Sequence, residues 1–168
     1  NHVGNVESAL EYHRRALAIR EKINDLPGIG ASNVNVGNCY VLLNQFKDAI
    51  PYLETAEENT RATNSYESLA SALNNLGICY LSQKNYSKAL PYAEEAWDIR
   101  RQLKDIRSQV LSANVLARIY NGLKRFGDAE KLLNETMAVT DSMESNLQEK
   151  INLYDAFATL NITIAALY

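Results

Sequence analysis

The chain has 168 residues, 46% of them hydrophobic and 22% charged, with a formal net charge of −3 at pH 7. This apolar fraction excludes a disordered chain, and seven glycines and three prolines exclude a collagenous or low-complexity one. A mildly acidic chain without clustered Lys and Arg is unsuited to nucleic acid or to an anionic membrane surface, and no apolar run approaches the roughly 20 residues of a membrane span. We expect a folded protein with neither partner. Because the chain lacks an initiator Met, we also expect it to be a segment of a longer protein.

The sequence is internally repetitive, with a constant spacing between the copies. Residues 36–40 (VGNCY) recur at 76–80 (LGICY), and residues 48–52 (DAIPY) recur at 88–92 (KALPY), so both segments return after 40 positions. A fixed period of this length is typical of a repeat architecture, in which each copy is one supersecondary unit. We therefore interpret the chain as an array of similar units.

The spacing of apolar residues inside each copy predicts α-helices. Leu69, Leu73 and Leu76 are separated by four and three residues, which places them on one helical face. The polar stretch 82–85 is too short for anything except a tight turn between antiparallel helices. Pro51 and Pro91 are predicted to mark helix starts, where a missing N–H leaves no carbonyl without its donor.

Each repeat is accordingly predicted to be a helical hairpin. In chain order, we predict one array over 1–168 that comprises the second helix of a truncated repeat (4–24), three full repeats (28–62, 65–103 and 106–141) and a partial or atypical repeat (145–168). The register of the last unit stays open, because Phe157 stands where earlier repeats have Gly or Ala. Residues 161–166 are predicted to open a further second helix.

The pattern Leu-Gly-x-x-Tyr at 76–80, followed by a polar turn, the aromatic Tyr86 and the pair Ala89 and Ala96, resembles the tetratricopeptide repeat. The 40-residue period is longer than the common 34 and is similar to that of kinesin light chains, of Leu-Gly-Asn spindle-orientation adaptors, and of bacterial sensor kinases and regulators. This resemblance implies an all-α, right-handed superhelical solenoid. The additional length is interpreted as extra helix or linker.

The sequence offers little for catalysis. His2 and His13 have no metal-ligand spacing, and phosphate-binding glycine loops and nucleophile elbows are absent. We expect neither enzymatic activity nor a cofactor or metal. Cys39 and Cys79 hold equivalent places in consecutive repeats, which puts them too far apart for a disulfide. Free buried thiols favour a reducing compartment, so we expect a cytoplasmic protein.

Asparagines on the predicted first helices carry the functional signal. These helices are expected to line the concave side of a superhelix, and their face turned away from the packing residues carries seven polar side chains. Carboxamides offer both donors and acceptors to the main chain of an extended peptide, and a guanidinium suits a carboxylate. The predicted peptide-binding residues are Asn35, Asn38, Asn74, Asn75, Asn114, Arg118 and Asn121. Asparagines that match them in resembling proteins hold the ligand's main chain.

Three alternatives stay open beside a scaffold that binds a protein or peptide partner as part of a larger signalling or regulatory protein. The asparagines can instead stabilise the solenoid by hydrogen bonds to an adjacent repeat. The chain can be a self-association module that forms a homodimer through an exposed solenoid end, with Ile162, Ile164, Ala165 and Leu167 as the contact surface. It can also be a sensory arm for a small peptide signal.

Overall fold

A computed structural model describes residues 2–141 and 147–165, except for the side chains of residues 2, 3, 147, 149, 164 and 165. All of the elements in these ranges are helices, so the predicted all-α class is confirmed. None of them combines the length and apolarity that crossing a bilayer requires. The helices are α1 (His2–Lys22), α2 (Leu26–Leu42), α3 (Phe46–Ala62), α4 (Tyr66–Ser82), α5 (Tyr86–Leu103), α6 (Ile106–Gly122), α7 (Phe126–Asp141) and α8 (Leu147–Ala165).

Every connection from α1 to α7 has the same left-handed turn. One residue in each has φ between 53° and 60°, and the N–H that follows it donates to the carbonyl five residues earlier, as Gln45 N does to Tyr40 O at 2.8 Å. This is the Schellman motif, which satisfies the last carbonyls of a helix. The left-handed residues recur every 20 positions, at Asn24, Asn44, Asn64, Lys84, Lys104 and Lys124. Turns within hairpins and turns between hairpins are thus the same structure.

Two long helices and two short turns make up each 40-residue period. Helices α2 to α7 have 16 to 18 residues, and connections of two or three residues join them. The extra length over the common repeat is therefore longer helices and not a linker.

The helices form two layers. Helices α2, α4, α6 and α8 each lie against the next member of this set. Within the described residues, the backbones of α1, α3, α5 and α7 stay apart from one another, and only long side chains reach across, as Arg61 of α3 does to Glu95 of α5 at 2.6 Å. A stack whose members touch on one side and separate on the other is curved, with the touching side inside. We call α2, α4, α6 and α8 the inner layer and the other four helices the outer layer.

Tyrosines attach the inner layer to the outer layer at equivalent positions. The Tyr80 hydroxyl donates to Glu54 Oε1 at 3.3 Å, and one period later the Tyr120 hydroxyl donates to Glu94 Oε1 at 2.9 Å. Burial and the Glu94 carboxylate raise the pKa of Tyr120, so its hydroxyl stays protonated as the donor. Because these bonds repeat, successive inner helices are held in the same orientation.

The prolines lie deeper in their helices than the sequence predicts. Since α3 begins at Phe46 and α5 at Tyr86, Pro51 and Pro91 are the sixth residues and stand inside the helices. The prediction that they mark helix starts is wrong. Both prolines are exposed, so the backbone that loses a hydrogen bond lies on the solvent side, where such a loss is tolerated.

Helix α8 continues the array as one inner helix. It runs without a turn to Ala165, so the prediction of a second helix opening at residue 161 is wrong for 161–165, and 166–168 lie outside the described residues. Leu153, Ala156 and Leu160 are buried, and so are their counterparts one period earlier in α6. The register of the array therefore extends through α8, with Phe157 accommodated half-buried against the core.

Gly37 and Gly77, the two glycines at the helix crossings, differ in how much space they leave for an added methyl group. A Cβ added at Gly37 would stand 2.5 Å from Cδ2 of the fully buried Leu53, whereas one at Gly77 would meet Ala93 Cβ at 3.4 Å, an ordinary contact. Gly37→Ala is therefore expected to lower the free energy of unfolding by about 1–3 kcal/mol through overpacking. Gly77→Ala is expected to raise it by about 0.5–1 kcal/mol, because alanine is the better helix former. Urea unfolding of both variants checks the opposite signs, and a loss in both would contradict the difference in space.

The cysteines are free and buried, with Cys39 4% and Cys79 0% exposed. Burial raises the pKa of the Cys79 thiol to about 12. In the unfolded chain this thiol ionises near 9, so its contribution to stability is full below that pH and is lost as pH rises toward 12. Between about pH 8 and about pH 10, wild type should therefore lose about 1 kcal/mol more unfolding free energy than Cys79→Ala. Equal losses, measured by urea unfolding at both pH values, would contradict the prediction.

Candidate functional site

The inner layer brings the predicted polar residues together around two cavities. The first cavity, about 300 Å³, lies between α2 and α4, and Arg100 of α5 and Leu111 of α6 also line it. The second, about 140 Å³, lies between α6 and α8. Asn35, Asn38, Asn74 and Asn75 line the first cavity, and Asn114, Arg118 and Asn121 line the second. We call the two cavities together the groove.

The seven side chains differ in how far they are exposed. Asn35, Asn38 and Arg118 are exposed and Asn114 and Asn121 are half-buried. Asn74 and Asn75 are only 7% and 8% exposed, so the expectation that their face turns away from the packing side is wrong. Helix α4 has inner-layer neighbours on both sides, α2 and α6, and these cover more of its surface than a lone helical face suggests.

Asn74 is also the only one of the seven that hydrogen-bonds another described side chain. Its Oδ1 accepts from Ser112 Oγ on α6 at 3.1 Å, so at this position a bond to the adjacent repeat does exist. The side chains of the other six have no hydrogen bond or ion pair within 2–141 and 147–165. Their donors and acceptors are therefore unengaged along the groove.

Asn121 stands out because its Oδ1 is enclosed and has no partner among the described residues. A buried acceptor without a donor is destabilising unless water or a ligand satisfies it. Asp155 and Thr159 of α8 line the same cavity and escaped the sequence-based prediction. Asp155 lies two periods after Asn75. This equivalence would have predicted its place in the groove, but it depends on the register of α8, which the sequence alone does not fix.

Arg100 is the other residue that the sequence did not assign to the groove. Its position in the last turn of α5 suggests only an interaction with the helix dipole. Instead, the side chain is 8% exposed and crosses to α6, where Nη1 donates to Ser108 O at 3.0 Å and to Ser112 Oγ at 2.5 Å. Burial lowers the pKa of Arg100, and the Asp105 carboxylate opposes this shift. The first cavity thus has a cationic wall.

The described residues contain no group of three or more His, Cys, Asp or Glu side chains that could hold a metal ion. The polar groups of the groove are carboxamides, hydroxyls, two guanidiniums and one carboxylate. Such a set forms hydrogen bonds in both directions and suits an elongated polar ligand.

Comparison with solved structures shows the same fold in three proteins. A Podosopora anserina protein described as a kinesin light chain with nearly identical TPR-like repeats is 22% identical, with 98% of this chain and 84% of that one covered and a TM-score of 0.71. Aspartyl phosphate phosphatase F from Bacillus subtilis is 15% identical, with 99% of this chain and 49% of that one covered and a TM-score of 0.66. BtubC (BKLC) from P. vanneervenii is 15% identical, with 97% of this chain and 85% of that one covered and a TM-score of 0.65. At these identities the likeness concerns the fold alone.

A search of curated protein sequences found no significant match. The profile of the tetratricopeptide repeat family, in contrast, matches residues 1–62 and 68–142. Arrays of this kind are helical scaffolds that typically mediate protein–protein interactions and are generally not catalytic. Since the profile covers most of the sequence and the fold is the corresponding solenoid, the chain belongs to the tetratricopeptide repeat family.

Proposed function

We propose that the groove binds an extended peptide segment of a partner protein, and that the chain serves as the recognition part of a larger signalling or regulatory protein. The observation that carries this proposal is the set of six unengaged polar side chains along two neighbouring cavities of the inner layer. Asparagine is a poor residue for a helix interior, so its recurrence on inner helices needs a reason, and an external hydrogen-bond partner supplies one.

The chemistry of the groove suits a main chain more than a compact ligand. Each carboxamide has one acceptor and two donors, which match the alternating C=O and N–H groups of an extended peptide irrespective of its sequence. Exposed apolar side chains on the same helices, Leu111 at 51% and Ile151 at 52%, stand one period apart and offer shallow contacts for side chains of the peptide. The sensory-arm alternative uses the same groove with a shorter peptide.

Removing three unengaged carboxamides should weaken peptide binding at least about tenfold, since each lost hydrogen bond is worth about 0.5–1.5 kcal/mol. The variant is Asn35→Ala/Asn75→Ala/Asn114→Ala, and the ligands are peptides selected on wild type from a random display library. Isothermal titration measures the affinities, and circular dichroism checks that the variant is folded.

The matched control is Asn5→Ala/Asn134→Ala, which removes two exposed asparagines of the outer layer, on α1 and α7. This control should bind like wild type. An affinity that is unchanged in the folded groove variant, or one that falls equally in both variants, would remove the groove from the proposal.

A second candidate function is self-association through α8. Ile151, Tyr154 and Ile162 are 52%, 61% and 71% exposed on α8, the last of the described inner helices, and form an apolar surface that another inner helix could cover. Ile164, Ala165 and Leu167, which the sequence assigns to the same surface, have side chains outside the described residues. Sedimentation velocity decides between the candidates: self-association predicts a dimer that persists on dilution and dissociates in Ile162→Asp, and peptide recognition alone predicts a monomer throughout.

A further inference from the structure

Three buried polar side chains connect the outer layer to the groove. Arg100 of α5, Ser112 of α6 and Asn74 of α4 are 8%, 0% and 7% exposed. Arg100 Nη1 donates to Ser112 Oγ at 2.5 Å, and Ser112 Oγ donates to Asn74 Oδ1 at 3.1 Å. We call these residues the relay.

The guanidinium determines the direction of this chain of hydrogen bonds. Arginine has only donors, so Ser112 must accept from Arg100. Within the described residues, Asn74 Oδ1 is the only acceptor of the Ser112 hydroxyl. A reversed Asn74 amide would leave that hydroxyl hydrogen unsatisfied in a fully buried place, which costs about 1–3 kcal/mol. The carboxamide oxygen of Asn74 therefore faces Ser112.

It follows that the amide nitrogen of Asn74 faces the other way. Asn74 lines the first cavity of the groove, and its Nδ2 has no partner among the described residues. Nδ2 is also absent from the enclosed, unpartnered polar atoms of those residues, which are Trp97 Nε1 and Asn121 Oδ1, so it is open to the cavity. Its two N–H groups are presented to whatever occupies the groove.

We infer that Arg100, acting through Ser112, holds Asn74 as an obligate hydrogen-bond donor, so that this position of the groove selects an oxygen acceptor of the bound peptide. Arg100 and Ser112 are positioning residues and Asn74 is the group in contact. The inference rests on the proposed function and adds to it a preference for acceptor groups of the ligand. An asparagine that is free to turn would bind a C=O or an N–H equally well.

The chain itself shows that the relay is not needed to build this joint. One period earlier the equivalent positions are Thr60, Ala72 and Val34, and Val34 and Ala72 belong to one apolar cluster. Two periods before Arg100 and Ser112, Arg20 Nη1 donates to Ser32 Oγ at 2.5 Å. The same junction between helices is thus built both with the arginine and serine pair and without it. The complete relay occurs at the junction where Asn74 lines the groove.

Charge adds to this preference for an acceptor. Arg100 has no ion pair among the described residues, and it lines the cavity that Asn74 faces. A cation at the start of a hydrogen-bond chain polarises the members that follow, which strengthens the Asn74 N–H groups as donors. The oxygen they select is either a main-chain carbonyl or a carboxylate of the peptide, and the two differ in their response to salt.

Nuclear magnetic resonance titration of the side-chain amide signals of Asn74 and Asn75 tests the relay with small probes. The probes are N,N-dimethylacetamide, which has a carbonyl and no N–H, acetate, and methylammonium, which has only donors. In wild type, dimethylacetamide should shift the Asn74 signals and methylammonium should not. A larger shift with acetate that added salt abolishes identifies a carboxylate as the preferred acceptor, and equal, salt-independent shifts identify a carbonyl.

Three variants separate positioning from folding. In Ser112→Ala, the Asn74 oxygen is released, so the Asn74 signals should now respond to methylammonium as well as to dimethylacetamide, while the responses of Asn75, which lies outside the relay, stay as in wild type. In Asn74→Asp, Ser112 keeps its acceptor but the groove gains a carboxylate oxygen, so methylammonium should shift the Asn75 signals more than it does in wild type. The variant Arg100→Thr/Ser112→Ala/Asn74→Val installs the set found one period earlier and should fold with wild-type circular dichroism.

The inference is overturned if methylammonium shifts the Asn74 signals of wild type as much as dimethylacetamide does, or if Asn74 stays unresponsive to methylammonium in Ser112→Ala. It is also overturned if the triple variant does not fold, because the relay would then be required for structure. These results are independent of the proposed function. Peptides that bind wild type while Ser112→Ala changes nothing would contradict only the relay, whereas donor behaviour of Asn74 without any peptide binding would contradict only the proposed function.

Discussion

The left-handed turn that recurs in every connection from α1 to α7 is the constraint on which the rest of the structure depends. It ends each helix after nearly the same length and reverses the chain in the same way, whether the next helix belongs to the same hairpin or to the following one. Alternate helices then fall into one layer, and equivalent positions of successive repeats come into register. The hydrogen bond that closes each turn is accepted by a main-chain carbonyl. This carbonyl belongs to a tyrosine within hairpins and to an arginine or a threonine between them, namely Arg20, Tyr40, Thr60, Tyr80, Arg100 and Tyr120.

Arg100 shows how this turn is coupled to the groove. Its main-chain carbonyl accepts from Asp105 N and from Gln109 Nε2, while its side chain donates to Ser108 O and Ser112 Oγ. One residue thereby closes a turn, joins two hairpins and orients a side chain on the concave side. A ligand of the groove that meets Asn74 would accordingly meet a side chain whose orientation is set by a junction between hairpins.

The fold was readable from sequence because repeated residues meet repeated neighbours. Gly37 and Gly77 each lie against the following outer helix, so a single period implies the whole stack. The same reasoning failed where one period differs from the next. Pro51 and Pro91 resemble helix starts in sequence and lie inside helices, because the true starts are set by the turns before Phe46 and Tyr86. The positions of the asparagines on inner helices were predictable, but the burial of Asn74 and its bond to Ser112 depend on residues 38 positions apart, which no local pattern encodes.

The junctions between hairpins alternate, and this has a consequence for how such an array grows. Arginine donates to serine between α1 and α2 and again between α5 and α6, while Thr60 and Ala72 occupy the equivalent positions in the junction between α3 and α4. Tandem duplication of α4 and α5 alone would set Arg100 against a copy of Ala72 and leave its guanidinium without a hydroxyl. Duplication of α2 to α5 would set it against a copy of Ser32 and keep the junction intact. An added unit that keeps the polar junction is therefore a pair of hairpins, two sequence periods long, rather than the single hairpin that one period suggests.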